Sequence, residues 1–115
     1  MAYKFHTIEK YNYDFDGRIG GPRFLQLWSS TALIADIHFI ADNAPLPAAQ
    51  IAPGLMSAVA YMRWSACMPL IDMLRNEKPI RVQLNDSPPG YVLIGTGLEP
   101  IGENARIGDE NELFR

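Results

Sequence analysis

Cysteine is nearly absent from this chain: its 115 residues include one, Cys67. A single thiol cannot close an intrachain disulfide, and it is too little sulfur for a cysteine-based zinc site. It also points to a reducing compartment, so a cytoplasmic location is expected. Basic charge is thin as well. Ten Lys and Arg stand against thirteen Asp and Glu, a net charge of −3, and no two basic residues are adjacent. Affinity for nucleic acid comes largely from clustered Lys and Arg, so this distribution argues against a strong polyanion binder. Long apolar runs are missing too. The most apolar stretch, 44–62, is broken by Pro45, Pro47, Pro53 and Gly54, and nothing reaches the length of a membrane helix. The opening residues, Met1 to His6, lack the apolar centre of a signal peptide.

What is present is globular. Apolar residues make up 48% and charged residues 20%, so the chain can pay the entropy of folding from one core, without staples. Residues 1–102 are expected to form a single domain and 103–115 a flexible polar tail.

Gly, Pro, Asn and Asp cut the chain into short pieces, as in a strand-rich domain. Tyr3 and Phe5, then Tyr11, Tyr13 and Phe15, alternate, which predicts one or two strands with a bend at Glu9-Lys10. The segment from Asp16 to Pro22 is turn chemistry. Strands are expected at Phe24 to Trp28 and at Ala32 to Ile40. In the latter, Leu33, Ala35, Ile37 and Phe39 face one way and Ile34, Asp36, His38 and Ile40 the other. A long apolar connection, 42–56, leaves room for one helical turn from Leu46 to Ile51, stopped by Pro53. Further strands are expected at Ser57 to Trp64, Ile80 to Asn85 and Tyr91 to Thr96.

The principal helix is expected near 65–77, with Ser65 as N-cap and Pro69 inside the first turn. Leu70, Ile71, Met73 and Leu74 form its apolar stripe, and Asp72, Arg75 and Asn76 its wet face. Pro79 ends it. The fold class that follows is α+β: a mainly antiparallel sheet of about six strands with one helix on one face. One helix cannot cover six strands, and Trp28, Trp64, Phe24 and Met62 are too many large groups for a solvated face. A homodimer or larger assembly is therefore expected. The alternative is a strongly curved sheet that closes on itself as a barrel.

No catalytic, cofactor or metal signature stands out, so no cofactor is expected and the chain leans away from enzymes. Asp36 and His38, two apart on one strand, project from one face and could orient an imidazole for base chemistry, but no nucleophile accompanies them. A structural pair is the simpler account. Asp14-Phe15-Asp16-Gly17 resembles the start of a calcium loop, yet Phe24 stands where the closing Glu belongs. Gly17 to Pro22, with Arg18 and Arg23 nearby, could cradle a phosphate, but no Gly-Lys-Ser/Thr follows. Gly95-Thr96-Gly97 reads as a bulge or strand end. Tyr61, Trp64 and Tyr91 could stack on bases, although aromatic residues more often serve cores and interfaces. Cys67 beside a helix start reads as a buried, inert thiol.

Leu74-Arg75-Asn76-Glu77-Lys78-Pro79, followed by an alternating strand and then Gly97-Leu98-Glu99-Pro100-Ile101-Gly102-Glu103, resembles a group of small uncharacterised bacterial proteins with a similar helix end, strand and E-P-[VI]-G-E close. The resemblance covers the last third of the chain, and more loosely the Pro-rich loop at 45–53. It implies a bacterial domain and transfers no functional residue. Three functions remain as expectations: a non-enzymatic homo-oligomeric interaction module, a single-stranded nucleic-acid binder, and a small-molecule site at an oligomer interface. Asp36, His38, Arg18, Arg63, Trp28 and Trp64 are the candidate polar and interface residues.

Overall fold

The computed structural model describes residues 2–18 and 23–96. The tail at 103–115, the E-P-I-G-E close and the Gly-rich residues 19–22 lie outside that range. The chain is α+β, with eight strands in two sheets and one helix among the described residues, and the sheets are mostly antiparallel.

The first strand, β1 (Tyr3–Ile8), gives way at Glu9 to β2 (Lys10–Phe15), as the aromatic alternation predicts. The bend does more than kink one strand. β1 belongs to a three-stranded sheet and β2 to a five-stranded one, so the chain changes sheets across one residue. The Glu9 N–H, which neither ladder takes up, donates to the Trp28 carbonyl at 2.8 Å. Next come β3 (Arg23–Ser29) and β4 (Ala32–Ile40), joined by a tight turn in which Ser30 takes a positive φ of 54°.

β4 departs from simple alternation. Ala35 pairs with Leu27 and Leu33 with Trp28, which leaves Ile34 as the extra residue of a bulge. Ile34 and Ala35 are therefore both buried, at 2% and 0% exposure. From Ala35 onward the expected faces hold: Ala35, Ile37 and Phe39 go inward, Asp36, His38 and Ile40 outward.

The long connection is not helical at Leu46 to Ile51. It runs back beside the next strand, β6 (Ala58–Arg63), and adds a two-residue strand β5 (Gln50–Ile51) to its edge. The helical turn comes later, a 3-10 turn over Pro53–Leu55 with proline at its start, where a missing N–H costs nothing. β6 lies parallel to β4, so the five-stranded order is β2-β3-β4-β6-β5.

A 3-10 turn over Trp64–Ala66 then leads into α1 (Cys67–Asn76). Ser65 is not the cap expected of it. Its own N–H donates to the Asp42 carboxylate at 2.9 Å, which ties the 3-10 turn to the distant connection, while α1 itself has Ala66 at its N-cap position and no side-chain cap. The helix ends at Asn76, three residues before Pro79, with the Glu77 N–H bonded to the Met73 carbonyl. β7 (Ile80–Asn85) and β8 (Tyr91–Thr96) complete the smaller sheet, ordered β1-β7-β8.

The count of eight strands exceeds the expected six because the N-terminal strand splits between sheets and β5 is too short to show a period. The second sheet also corrects the single sheet with a helix on one face. Inward residues of both sheets and of α1 share one core: Leu25, Leu27, Ala35 and Ile37 from the larger sheet, Ile8, Val82 and Leu84 from the smaller, and Cys67, Leu70 and Ile71 from the helix. Each fully buried Leu or Val contributes about 1.5–3 kcal/mol, so this shared seam dominates stability. At the far corner Gly90, between β7 and β8, approaches β5 closely: a Cβ there would lie 2.9 Å from Ile51 Cγ1. The sheets thus approach each other at two corners, at Glu9 and at Gly90. Among the described residues no helix is long and apolar enough to cross a membrane.

Candidate functional site: the outer face of the five-stranded sheet

Register decides what stands on the outer face. Phe24 of β3 lies opposite His38 of β4, which lies opposite Tyr61 of β6. The Phe24 and His38 rings meet edge to face with centroids 4.7 Å apart, and His38 and Tyr61 are tilted at 5.6 Å. One step along the strands run Asn12, Gln26, Asp36 and Val59. Trp28 and Leu33 follow beyond the bulge. Every outward residue of β3, β4 and β6 from Phe24 to Arg63 remains partly exposed, so the face presents Phe24, Trp28, Leu33, Val59 and Tyr61 among the polar Gln26, Asp36, His38 and Arg63.

Asp36 and His38 do project together. His38 Nε2 lies 3.3 Å from Asp36 Oδ2, with side chains 33% and 26% exposed. At that exposure an ion pair is worth about 0–1 kcal/mol. The other carboxylate oxygen, Asp36 Oδ1, is buried with no donor in reach, although the Gln26 amide sits directly across the ladder. A buried acceptor left without a partner costs about 1–3 kcal/mol. The pair therefore does not offset its own burial within a single chain.

The remaining predicted residues are dispersed. Trp28 shares the face, and its indole N–H donates to Asn12 Oδ1 at 2.9 Å. Arg63 stands at the face's rim, but its guanidinium is spent on the long connection, donating to the carbonyls of Asp42 and Ala44 at 2.6 Å each and of Ala41 at 3.5 Å. Arg18 pairs with Asp16, two residues away, through both nitrogen ends of its fork. That contact, with the bond to the Arg18 backbone N–H, lowers the Asp16 carboxyl below its usual range. The Asp-rich start of that loop thus carries an ordinary local ion pair. Trp64 is on the inside, packed against the core together with Met62. Of the four large groups that seemed too many for a solvated face, two belong to the core and two, Phe24 and Trp28, to the outer face.

Sequence reading missed a second group, at the end of the core. Arg23, facing inward opposite Phe15, lies between two rings: its guanidinium carbon is 4.8 Å from the Phe15 centroid and 5.0 Å from that of Trp64. The Tyr13 hydroxyl accepts from Cys67 Sγ at 3.4 Å. Burial, then the Cys67 bond, pushes the Tyr13 hydroxyl above its ordinary value, and the Arg23 charge pulls the other way. An inward Arg at a strand start was the available signal.

Comparison with protein-family models, with curated proteins and with solved structures finds no match to this chain. Among the described residues no three of His, Cys, Asp and Glu converge in a way that would hold a metal ion.

Proposed function

We propose that this chain is a non-enzymatic interaction module that works as a homo-oligomer, with the outer face of the five-stranded sheet as the self-contact. The carrying observation is the half-exposed row of Phe24, His38 and Tyr61 across three strands, with Trp28 and Leu33 beyond it. A second copy laid on this face excludes water from Phe24, Trp28, Leu33 and Tyr61. Size supports the reading. The four longer strands at about 4.8 Å spacing and about 20–30 Å length, with the two-residue β5 beside them, give about 400–600 Å² of flat area, and a corrugated surface exceeds its flat projection. A stable dimer needs about 800 Å² per partner. Charge on the face is mixed: Asp36 is the one acid among the outward residues of β3, β4 and β6, and β2 adds Lys10 and Asp14.

Light scattering coupled to size-exclusion chromatography tests this. The wild-type chain at tens of micromolar is expected to run as a dimer or larger, and Tyr61→Arg, which leaves the core untouched, as a monomer with an unchanged circular-dichroism spectrum. A monomeric wild-type chain at that concentration sinks the proposal.

A second reading rests on the smaller sheet. Tyr3, Phe5 and Tyr91 project from its outer face at 62%, 47% and 44% exposure, and Arg81 stacks on Phe5 at 4.1 Å. Exposed rings with one stacked Arg suit the bases of a single nucleic-acid strand. The net charge weighs against it. Fluorescence anisotropy with labelled oligonucleotides at low salt decides: binding lost in Phe5→Ala supports this reading, and no binding ends it.

A further inference from the structure

A sheet edge carries unpaired backbone groups, and among the described residues four strands stand at edges: β1 and β8 of the smaller sheet, β2 and β5 of the larger. Three are blunted in ways that discourage pairing with another chain. β1 carries Lys4, β2 carries Lys10 and Asp14, and β5 is two residues long between Pro47 and Pro53. β8, Tyr-Val-Leu-Ile-Gly-Thr, has no charge, no proline and no bulge. In an antiparallel ladder every second residue turns its N–H and C=O away from its partner. On the side of β8 away from β7, no described segment takes those groups up. Tyr91 and Val92 border an open groove toward residues 46–49, and the strand from Leu93 onward lies clear of it.

We propose that β8 is a second self-contact, pairing antiparallel with β8 of another copy about a two-fold axis at Leu93, so that the smaller sheets of two copies join edge to edge. Shape selects both the occupant and the register. Tyr91, Leu93 and Gly95 share the outer face, opposite Asn85, Gln83 and Arg81. Tyr91 and Leu93 are 44% and 56% exposed, whereas a Cβ on Gly95 would meet nothing within 4 Å. An axis at Leu93 sets Leu93 against itself and Tyr91 across from Gly95 of the other copy, where a ring covers the bare glycine. The Tyr91 hydroxyl is held by one exposed bond, from the Asn85 amide at 3.1 Å, which water replaces when the ring turns to the edge. An uncharged strand also brings no repulsion to its own copy. Area sets the strength. The six residues span about 20 Å and a sheet edge is about 10 Å thick, which gives about 200 Å² per copy against about 800 Å² in a stable dimer. The contact is therefore weak, made at hundreds of micromolar. It does not rest on the self-contact proposed above, which lies on the other sheet.

Cysteine trapping in the Tyr61→Arg background reads the register with the other contact disabled. Leu93→Cys at hundreds of micromolar, with oxidised glutathione, is expected to give a disulfide-linked dimer, because residues facing each other across the axis stand about 4.5–5.5 Å apart. Tyr91→Cys places its two thiols about 13 Å apart, four residues along the ladder, and is expected to cross-link at least about tenfold more slowly. Cys67, at 1% exposure, stays out of the reaction. In the same background without an added cysteine, sedimentation is expected to show pairing that grows from tens of micromolar to about 1 mM. Leu93→Lys sets two charges face to face at an exposed position and is expected to pair at least about tenfold more weakly. Three results overturn the proposal: Tyr91→Cys trapping as fast as Leu93→Cys, pairing unchanged in Leu93→Lys, or every β8 amide protected from exchange at tens of micromolar, as when another part of the same chain covers the edge.

Discussion

Replacing Gly90 with alanine tests how the second corner between the sheets is closed. Gly90 does not occupy the left-handed region, so alanine meets no backbone penalty there. What it meets is Ile51 Cγ1 at 2.9 Å, with the Asn85 carbonyl oxygen at 3.3 Å and that of Ala49 at 3.7 Å. Overpacking of this kind costs about 1–3 kcal/mol. Against it, alanine restricts the unfolded chain and returns about 0.4–1 kcal/mol. The net loss is about 0–2.6 kcal/mol, a fall in Tm of up to about 10 °C at about 4 °C per kcal/mol. The diagnostic step is a double-mutant cycle with Ile51→Ala, which removes the obstructing atom. Ile51 is half-buried, so its truncation alone costs about 2 kcal/mol, the low end for such changes. In that background Gly90→Ala is expected to cost clearly less than in the parent chain, with the Asn85 oxygen at 3.3 Å left as a tight contact and the Ala49 oxygen at 3.7 Å as an ordinary one. Urea unfolding of the four proteins measures the cycle. If Gly90→Ala costs the same with and without Ile51, the contact between the β7–β8 turn and β5 does not set this corner.

Alkaline stability tests the Tyr13–Cys67 contact. A raised folded-state value means that the unfolded chain ionises first, so the stability held by the neutral hydroxyl is intact below about pH 10 and is lost as pH rises beyond it. Tyr13→Phe is expected to flatten that alkaline decline relative to wild type, as read by denaturation midpoints across the range; an unchanged slope contradicts the assignment. Arg63→Met breaks three carbonyl contacts of one charged group and is expected to cost about 2–3 kcal/mol, with faster amide exchange in the connection from Ala41 to Ala44. Asp42→Ala removes the carboxylate bonded to the Ser65 N–H of the 3-10 turn and is expected to cost about 1 kcal/mol, with Ser65 losing exchange protection before Leu70 does.

Much of the fold is legible in local pattern, because pattern is local. Ile80, Val82 and Leu84 alternate with polar neighbours and become the buried side of β7, while Pro79 closes the helix where expected. Pairing is not local. Tyr3 finds Asn85 and Ile8 finds Ile80 across most of the chain, so nothing near either segment announces the second sheet. A two-residue strand such as β5 has no period to read, and the Ile34 bulge reverses face assignments with no glycine to mark it. The candidate site divides the same way. Asp36 and His38 share a face by simple spacing, whereas Phe24 and Tyr61 join them through register. Arg18 and Arg63 looked available because composition cannot show that a neighbouring carboxylate and three backbone carbonyls already engage them.

The single residue between β1 and β2 has a consequence for how the chain tolerates change. Inward positions in β1 are even-numbered, ending at Ile8; in β2 they are odd-numbered, beginning at Tyr11. Glu9 is therefore where parity changes, and the two sheets take their inside and outside from that one peptide unit. Removing Glu9, or adding a residue beside it, would turn one whole strand over, exposing Tyr11 and Tyr13 or burying Lys10 and Asn12. The apolar connection between β4 and β5 is several times longer and sets no parity, so length changes there carry only the slowly growing cost of a longer loop. Natural length variation in relatives of this chain should accordingly gather between β4 and β5 and avoid the corner at Glu9.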